Sequence, residues 1–457
     1  MTEVIPHDIL LQQRDISEFY GGDCMAKIVL IGAGSVSFGT GTLCDLFAAR
    51  EELRGSTIAL VDIDPEALRV MSQVARRMNE ATGSPFAIEA TTDRCEVLPG
   101  ARFVIISVAV KRNERWRLDF QVPLRHGVKQ VLGENGGPGG LFHAMRNIPI
   151  VLDVCRDVER LCPDALVLNF SNPEGRLCLA ASRYTGLQFV GLCHGIGMAQ
   201  AAIGQALDLP PDEIDPRAAG LNHFTWVLDL RRKSTGEDLY PAFKRAIAAK
   251  DMEEAGLGDY HWGVKLSRYL METFGYWPSP SDDHVGEYLS YAWEYCGLEG
   301  YDFDGADRGG EELWQRLQRW GGGQDPLDSL LERRSGERAV AIIAGVLGNT
   351  HQYELAVNVP NAGLIPNLPA WAIVEVPATV DATGVHGVHV GPLPEPIAAM
   401  CRTQAAVIDR VVEAGVHGDR NAALEALLLD PVVTSISQAE AILDELLEVH
   451  KDFLPQF

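Results

Sequence analysis

Cys193, in Gly191-Leu192-Cys193-His194-Gly195, and His223, in Asn222-His223-Phe224, offer a thiolate and an imidazole. That donor pair suits a divalent transition metal with open positions left for ligand oxygens. Spacing alone leaves a plainer alternative standing, a buried thiol and a structural histidine. Asn169 and Asn172, in Asn169-Phe170-Ser171-Asn172-Pro173, can donate to ligand hydroxyls, although Asn-Pro after a strand equally forms a turn. His194 can give up a proton or simply shape the chain after Cys193. Tyr288 and Tyr291, in Glu287-Tyr288-Leu289-Ser290-Tyr291, fit either proton transfer or packing.

These groups need strands to carry them. An apolar run, Ile28 to Ile31, stops at Gly32-Ala33-Gly34, and a helix-compatible segment follows through Leu43, Leu46 and Phe47. In such a turn (Gly32, Gly34, Ser35, Val36, Ser37) the first glycine permits the bend, and the second lets backbone approach a pyrophosphate at the helix N-terminus. Ser37 stands where the third glycine of the fingerprint would be. A second strand, Ile58 to Val61, ends at Asp62, whose carboxylate would accept from ribose hydroxyls and repel a 2′-phosphate. The implied ligand is NAD rather than NADP; the alternative is a βα turn with no nucleotide.

A helix capped by Asp64 and opened by Pro65 is expected next, from the spacing of Leu68, Met71, Val74, Ala75 and Met78. Strands are expected at Phe86–Ala90, Phe103–Val108, Ala165–Phe170 and Phe189–Cys193. The glycine-rich run from Gly133 to Gly140 reads as a loop where backbone approaches a ligand. Repeated β-α units imply an α/β fold with a doubly wound parallel sheet of Rossmann type. Ligands then bind just past the strand ends, at Ser107 onward, Asn169–Pro173 and Cys193–Gly195. Beyond residue 195 the alternation breaks. Gly220–Arg231 reads as strand, and the chain from Pro396 as helices. The expected organisation is an extension over 1–24, an NAD-binding domain over 25–195, and a mixed α+β domain over 196–457 for substrate, metal and oligomerisation.

The chain has 457 residues, too many for one core to organise easily. Its formal charge of −24 argues against nucleic acid or an anionic membrane as partner. No apolar run reaches the roughly 18 residues a membrane span needs. Nine cysteines without paired spacing, and no signal-like N-terminus, fit a reducing cytoplasm.

Taken together, these segments resemble glycoside hydrolase family 4, in its α-galactosidase, α-glucosidase and α-glucuronidase-like branch. The matching text also includes Gly137-Pro138-Gly139-Gly140 and Asn361-Ala362-Gly363-Leu364-Ile365-Pro366-Asn367-Leu368-Pro369 with Val374-Glu375-Val376. The resemblance implies a malate/lactate dehydrogenase-like architecture, NAD and Mn²⁺ or another divalent metal as cofactors, and a homodimer or homotetramer. It makes Cys193 and His223 metal ligands, Tyr288 the base and His194 the acid, a role Asp282 or Asp283 could share. It makes Gly32, Gly34, Ser35, Val36, Ser37, Asp62 and Asn169 cofactor contacts, and Asn172, Arg146 and His143 substrate contacts. Cys193-His194-Gly195 departs from the Cys-Asn/Asp-x-Pro form of 6-phospho-sugar enzymes, so the implied substrate is an unphosphorylated α-galactoside, α-glucoside or α-glucuronide. The implied chemistry is oxidation at C3, removal of the C2 proton, elimination at C1 and addition of water, with no net redox change. The rival is an NAD-dependent dehydrogenase of a hydroxy acid or sugar.

Overall fold

The structure, a computed structural model, describes residues 25–249 and 264–457; the extension expected over 1–24 lies outside the described residues. Apolar, β-branched runs form six strands, β1 (Lys27–Ile31), β2 (Thr57–Val61), β3 (Ala87–Thr91), β4 (Ala101–Ile106), β5 (Leu166–Asn169) and β6 (Gln188–Gly191). They lie parallel in the order β3-β2-β1-β4-β5-β6. The central strands are covered by helices on both faces, which is why they read as continuous rather than alternating apolar runs. This is the Rossmann-type sheet, with strand order reversing at β1/β4 and a crevice opening at that point. The helix Pro65–Ala81 begins as expected: Asp64 accepts from the Glu66 and Ala67 amides, and Leu68, Met71, Val74, Ala75 and Met78 are buried.

Two local expectations change. The run from Gly133 to Gly140 is not all loop, because the helix Gly137–Leu161 starts inside it. Its glycines serve close packing: a Cβ on Gly139 or Gly140 would come within 2.5 Å of backbone at Gly133 or Asn135. Gly220–Arg231 is not one strand but most of a hairpin, β7 (Ile214–Leu221) and β8 (Phe224–Arg232), with Asn222-His223 as its two-residue turn.

The sheet does not stop where the β-α alternation does. With β9 (Trp277–Ser279), β10 (Gln352–Pro360), β11 (Ile373–Asp381) and β12 (Gly384–Gly387) it continues antiparallel as β6-β10-β11-β7-β8-β9, with β12 paired to β11. The join is the pairing of Asn358 with Gly191. The long helix Glu395–His417 packs across Gly137–Leu161 and Glu174–Tyr184. Among the described residues no helix is long and apolar enough to cross a membrane.

Candidate active site

The crevice at the carboxyl ends of β1, β2 and β4 holds a cavity of about 600 Å³. Gly32, at φ +87°, donates from its amide to Val61 O at 2.9 Å, and any side chain there would collide with Ser107 O. The Gly34 amide donates to Asp62 Oδ2 at 2.7 Å, and a Cβ on Gly34 would come equally close to that oxygen and to Ala67. Asp62 Oδ1 accepts the Asp64 amide at 2.9 Å, so the carboxylate is fixed at the tip of β2 with lone pairs to spare for ligand hydroxyls. Gly32, Gly34, Ser35 and Asp62 all line the cavity, whereas Val36, Ser37 and Asn169 are not among its lining residues. Asn169 is fully buried and gives its amide to Ser171 O and Glu174 Oε1; it reaches the cavity only by holding Ser171, whose hydroxyl accepts from the Val108 amide. A dinucleotide fits this cradle by the test of shape, since two positions have no room for a Cβ.

A second cavity of about 290 Å³ opens against the first, and Phe38, Arg112, Phe170 and Asn172 line both. Cys193, His194, His223, Glu134, Asp283, His284 and Glu337 complete its polar wall. One nitrogen each from His223 and His284 and one oxygen of Glu134 lie within 4.8 Å of one another. Burial, with His284 beside it, lowers the His223 pKa to about 3, which leaves a neutral imidazole able to coordinate. Burial alone would raise Glu134, but Arg112, His284 and His223 hold it at about 2. Two imidazoles and a carboxylate are a donor set for a first-row divalent cation. Cys193 stands on the same wall but outside that tight group, its Sγ accepting the Gly195 amide at 3.4 Å. Burial, then the nearby Glu375, push its thiol well up, a bias that a cation alongside would reverse.

His284 is anchored by Asp283 Oδ1 at 2.9 Å from its Nδ1, and the same oxygen accepts from the Ser281 hydroxyl and the His284 amide. Burial opposes charge on His284, yet Asp283 raises its pKa to about 9 and is itself held at about 2, so the imidazole carries a proton that a bound cation would have to displace. His194 Nδ1 lies 2.9 Å from Glu337 Oε1, and Glu337 is steadied by its own amide donating to the Ser335 hydroxyl.

Three expected residues lie elsewhere. Tyr288 is buried behind the cavity, donates to Asn222 O at 3.2 Å and packs on Phe224. It lines neither cavity, and burial and then Glu287 push its phenol well up. Arg146 turns away to a bidentate pair with Asp119 at 2.8 and 2.5 Å, which leaves it no guanidinium face for a substrate. Asp282 caps the helix Lys265–Phe274, accepting from the amides of Leu266 and Ser267. His143 does line the first cavity, Nδ1 being 2.9 Å from Glu134 O; burial and Arg146 lower its pKa to about 4. Glu134, His284, Glu337 and Arg112 were not anticipated from sequence. A charged residue embedded in the glycine run could have flagged Glu134; the other three carry no local signal.

Two family models match the chain, Family 4 glycosyl hydrolase over residues 27–209 and Family 4 glycosyl hydrolase C-terminal domain over residues 218–433. The chain is 38% identical over 460 residues to an alpha-glucosidase of Erwinia rhapontici, spanning 94% of this chain and 98% of that protein. It is 33% identical over 442 residues to an alpha-galactosidase of Bacillus subtilis (strain 168), spanning 95% and 100%. Its fold superposes with a TM-score of 0.83 on a 6-phospho-alpha-glucosidase from gut microorganisms solved with NAD and Mn²⁺, at 22% identity over 95% of this chain and 100% of that one.

Proposed function

The chain belongs to family 4 of the glycosyl hydrolases and is a glycosidase, and we propose that it hydrolyses unphosphorylated α-glycosides (α-glucosides, α-galactosides or α-glucuronides) with NAD and a divalent cation, Mn²⁺ first among them. The observation that carries this is the shared wall of the two cavities, which sets a dinucleotide cradle directly against a pocket able to hold a metal and a sugar. An unphosphorylated substrate is supported by Arg112, the one guanidinium in the lining of the second cavity. It is ion-paired to Glu134 and lies 4.6 Å over the Trp116 ring, so it is already engaged where a phosphate would need it.

Gly32, Gly34, Ser35 and Asp62 would hold the dinucleotide; His223, Glu134 and His284, with Cys193 beside them, would hold the cation. When bound, these groups supply a reversible hydride acceptor for C3 and Lewis acidity at the C2 and C3 oxygens. Asp283 replaces Tyr288 as the base. Asp283 stands beside the proposed ligand His284 on the wall of the second cavity, and with its Oδ1 holding Ser281 and His284 its other oxygen takes the C2 proton. His194, oriented by Glu337, gives a proton to the departing glycosidic oxygen, and Asn172 binds sugar hydroxyls from the shared wall. Water adds across C1 and C2, restoring the C2 hydrogen, and because the hydride acceptor is reversible the sum would be a hydrolysis with no net redox change.

In this scheme residues 25–195 carry the dinucleotide cradle together with Glu134, Asn172, Cys193 and His194, and 196–457 complete the metal and substrate pocket with His223, Asp283 and His284 and serve oligomerisation. A cytoplasmic location is supported by eight described cysteines that are all free thiols, and a homodimer or homotetramer is the assembly the family resemblance suggests. The test is a panel of p-nitrophenyl α-glycosides with NAD⁺, Mn²⁺ and thiol reductant. Sugar release without a rise in NADH absorbance is expected; stoichiometric NADH accumulation would instead identify a dehydrogenase.

A further inference from the structure

His223 occupies a two-residue turn that contains no glycine, at φ +59°. A left-handed backbone is unfavourable for such a residue and persists only where the surroundings over-determine it. Tyr288 holds the Asn222 carbonyl and Asn135 Nδ2 meets His223 Nδ1 at 3.1 Å, and Glu375 of β11 grips the side chains on both sides of the turn. It is 2% exposed, and its Oε2 accepts from Asn222 Nδ2 at 3.0 Å and from Asn358 Nδ2 at 3.1 Å. Its Oε1 accepts the Thr225 hydroxyl at 2.8 Å. Asn222 immediately precedes His223 and Thr225 follows it by two residues, so one carboxylate grips the turn from both sides. In register Glu375 sits opposite Gly220 of β7 and Asn358 of β10, and Asn358 in turn pairs with Gly191, two residues ahead of Cys193. Glu375 therefore lies where the parallel and antiparallel halves of the sheet join, beneath both residues expected to ligate metal, yet it lines neither cavity.

We propose that Glu375 is a positioning residue that holds the Asn222-His223 turn and so aims the His223 imidazole at Glu134 and His284, setting cation affinity without touching cation or sugar. This rests on His223 being a metal ligand. Leucine would fill much of the same space but accept from none of these donors, whereas glutamine could keep them, its carbonyl oxygen toward Asn222 and Asn358 and its amide toward the Thr225 hydroxyl, which also donates to Leu221 O at 2.8 Å. Loss of a partner that orients a metal-binding histidine costs about 10–100-fold in metal affinity.

The full-length protein is stripped with EDTA and titrated with Mn²⁺, free Mn²⁺ being read by electron paramagnetic resonance; NAD⁺ binding is read separately by protein fluorescence. Glu375→Leu should weaken Mn²⁺ binding about 10–100-fold while NAD⁺ affinity stays unchanged, and Glu375→Gln should retain most of the wild-type Mn²⁺ affinity. Asn222→Ala should reproduce part of the loss, and the double variant should bind no more weakly than Glu375→Leu alone. Wild-type Mn²⁺ affinity in Glu375→Leu, or an equal loss of NAD⁺ binding, overturns the assignment. If Glu375→Leu does not fold, an unchanged Mn²⁺ affinity in Asn222→Ala overturns it. A wild-type protein that binds no Mn²⁺ removes the metal reading itself, and this role with it.

Discussion

Replacing Arg146 by methionine separates two roles for that residue. As a substrate contact, the role the family resemblance suggests, its loss should raise KM and leave the fold alone. The structure instead buries it against Asp119, which is fully buried and also bonded at 2.7 Å by the equally buried His450. Burial alone would raise the Asp119 carboxyl, yet Arg146 and His450 hold it below its usual range. The trio ties the helices Arg112–Arg125 and Gly137–Leu161 to the C-terminal end of the chain. Removing one partner strands a buried charge, which costs about 3–5 kcal/mol. With an m value of about 3 kcal/mol/M, that is a fall of about 1 M or more in the urea midpoint. Asp119→Leu together with Arg146→Met should recover most of the loss, because an apolar pair of similar volume often replaces a buried ion pair at little cost. Urea unfolding followed by fluorescence, alongside KM for the best aryl glycoside, decides the matter. A tenfold rise in KM with an unmoved midpoint would refute the structural role.

Asp283→Asn should lower kcat by about 10²–10⁴-fold, the range for a lost general base, while Tyr288→Phe retains most activity; the reverse ranking would restore the phenol as base. In either protein that turns over, the C2 hydrogen should exchange with solvent deuterium, and its full retention would exclude removal of that proton. Asp62→Asn removes a charged acceptor at the ribose and should weaken NAD⁺ binding by about 10-fold or more, at about 1.5–3 kcal/mol for a charge-assisted bond, without changing Mn²⁺ affinity; calorimetric titration of each ligand checks both halves. Burial raises Glu287 to about 8 and Asp430 to about 6. In the folded chain both keep protons that the unfolded chain has released above about pH 4, so their stabilisation is complete at low pH and is lost as pH rises through 6 and then 8. Below about pH 6.5 His143 and His223, held neutral by pKa values of about 4 and 3, slope the other way, so the urea midpoint of the apoprotein should fall between about pH 7 and 8.5, and Glu287→Gln should flatten that slope.

The dinucleotide half was legible because its determinants are local. Gly32, Gly34 and Asp62 act within one strand-turn-helix and the strand beside it, and the reasons they are needed, absence of a Cβ and a carboxylate at a strand tip, can be read one residue at a time. The catalytic half is assembled by distance along the chain. His223 meets Glu134 and His284 because a hairpin, a glycine-packed helix start and a short helix converge from three separate segments. No periodicity encodes that convergence, and the hairpin itself was hidden because its turn, Asn222-His223, lacks the glycine that usually marks one. Tyr288 is close in sequence to Asp283 and His284, but the turns after the helix Asp282–Gly286 carry its ring inward onto Phe224, while Asp283 and His284 of that helix face the cavity. A motif gives order along the chain, and which of its members meets the substrate is decided by a helical phase of a few residues. For the same reason Glu375 was visible only as part of a signature: its partners Asn222, Thr225 and Asn358 are brought to it by strand register, the one property of a sheet that alternation within a single strand cannot report.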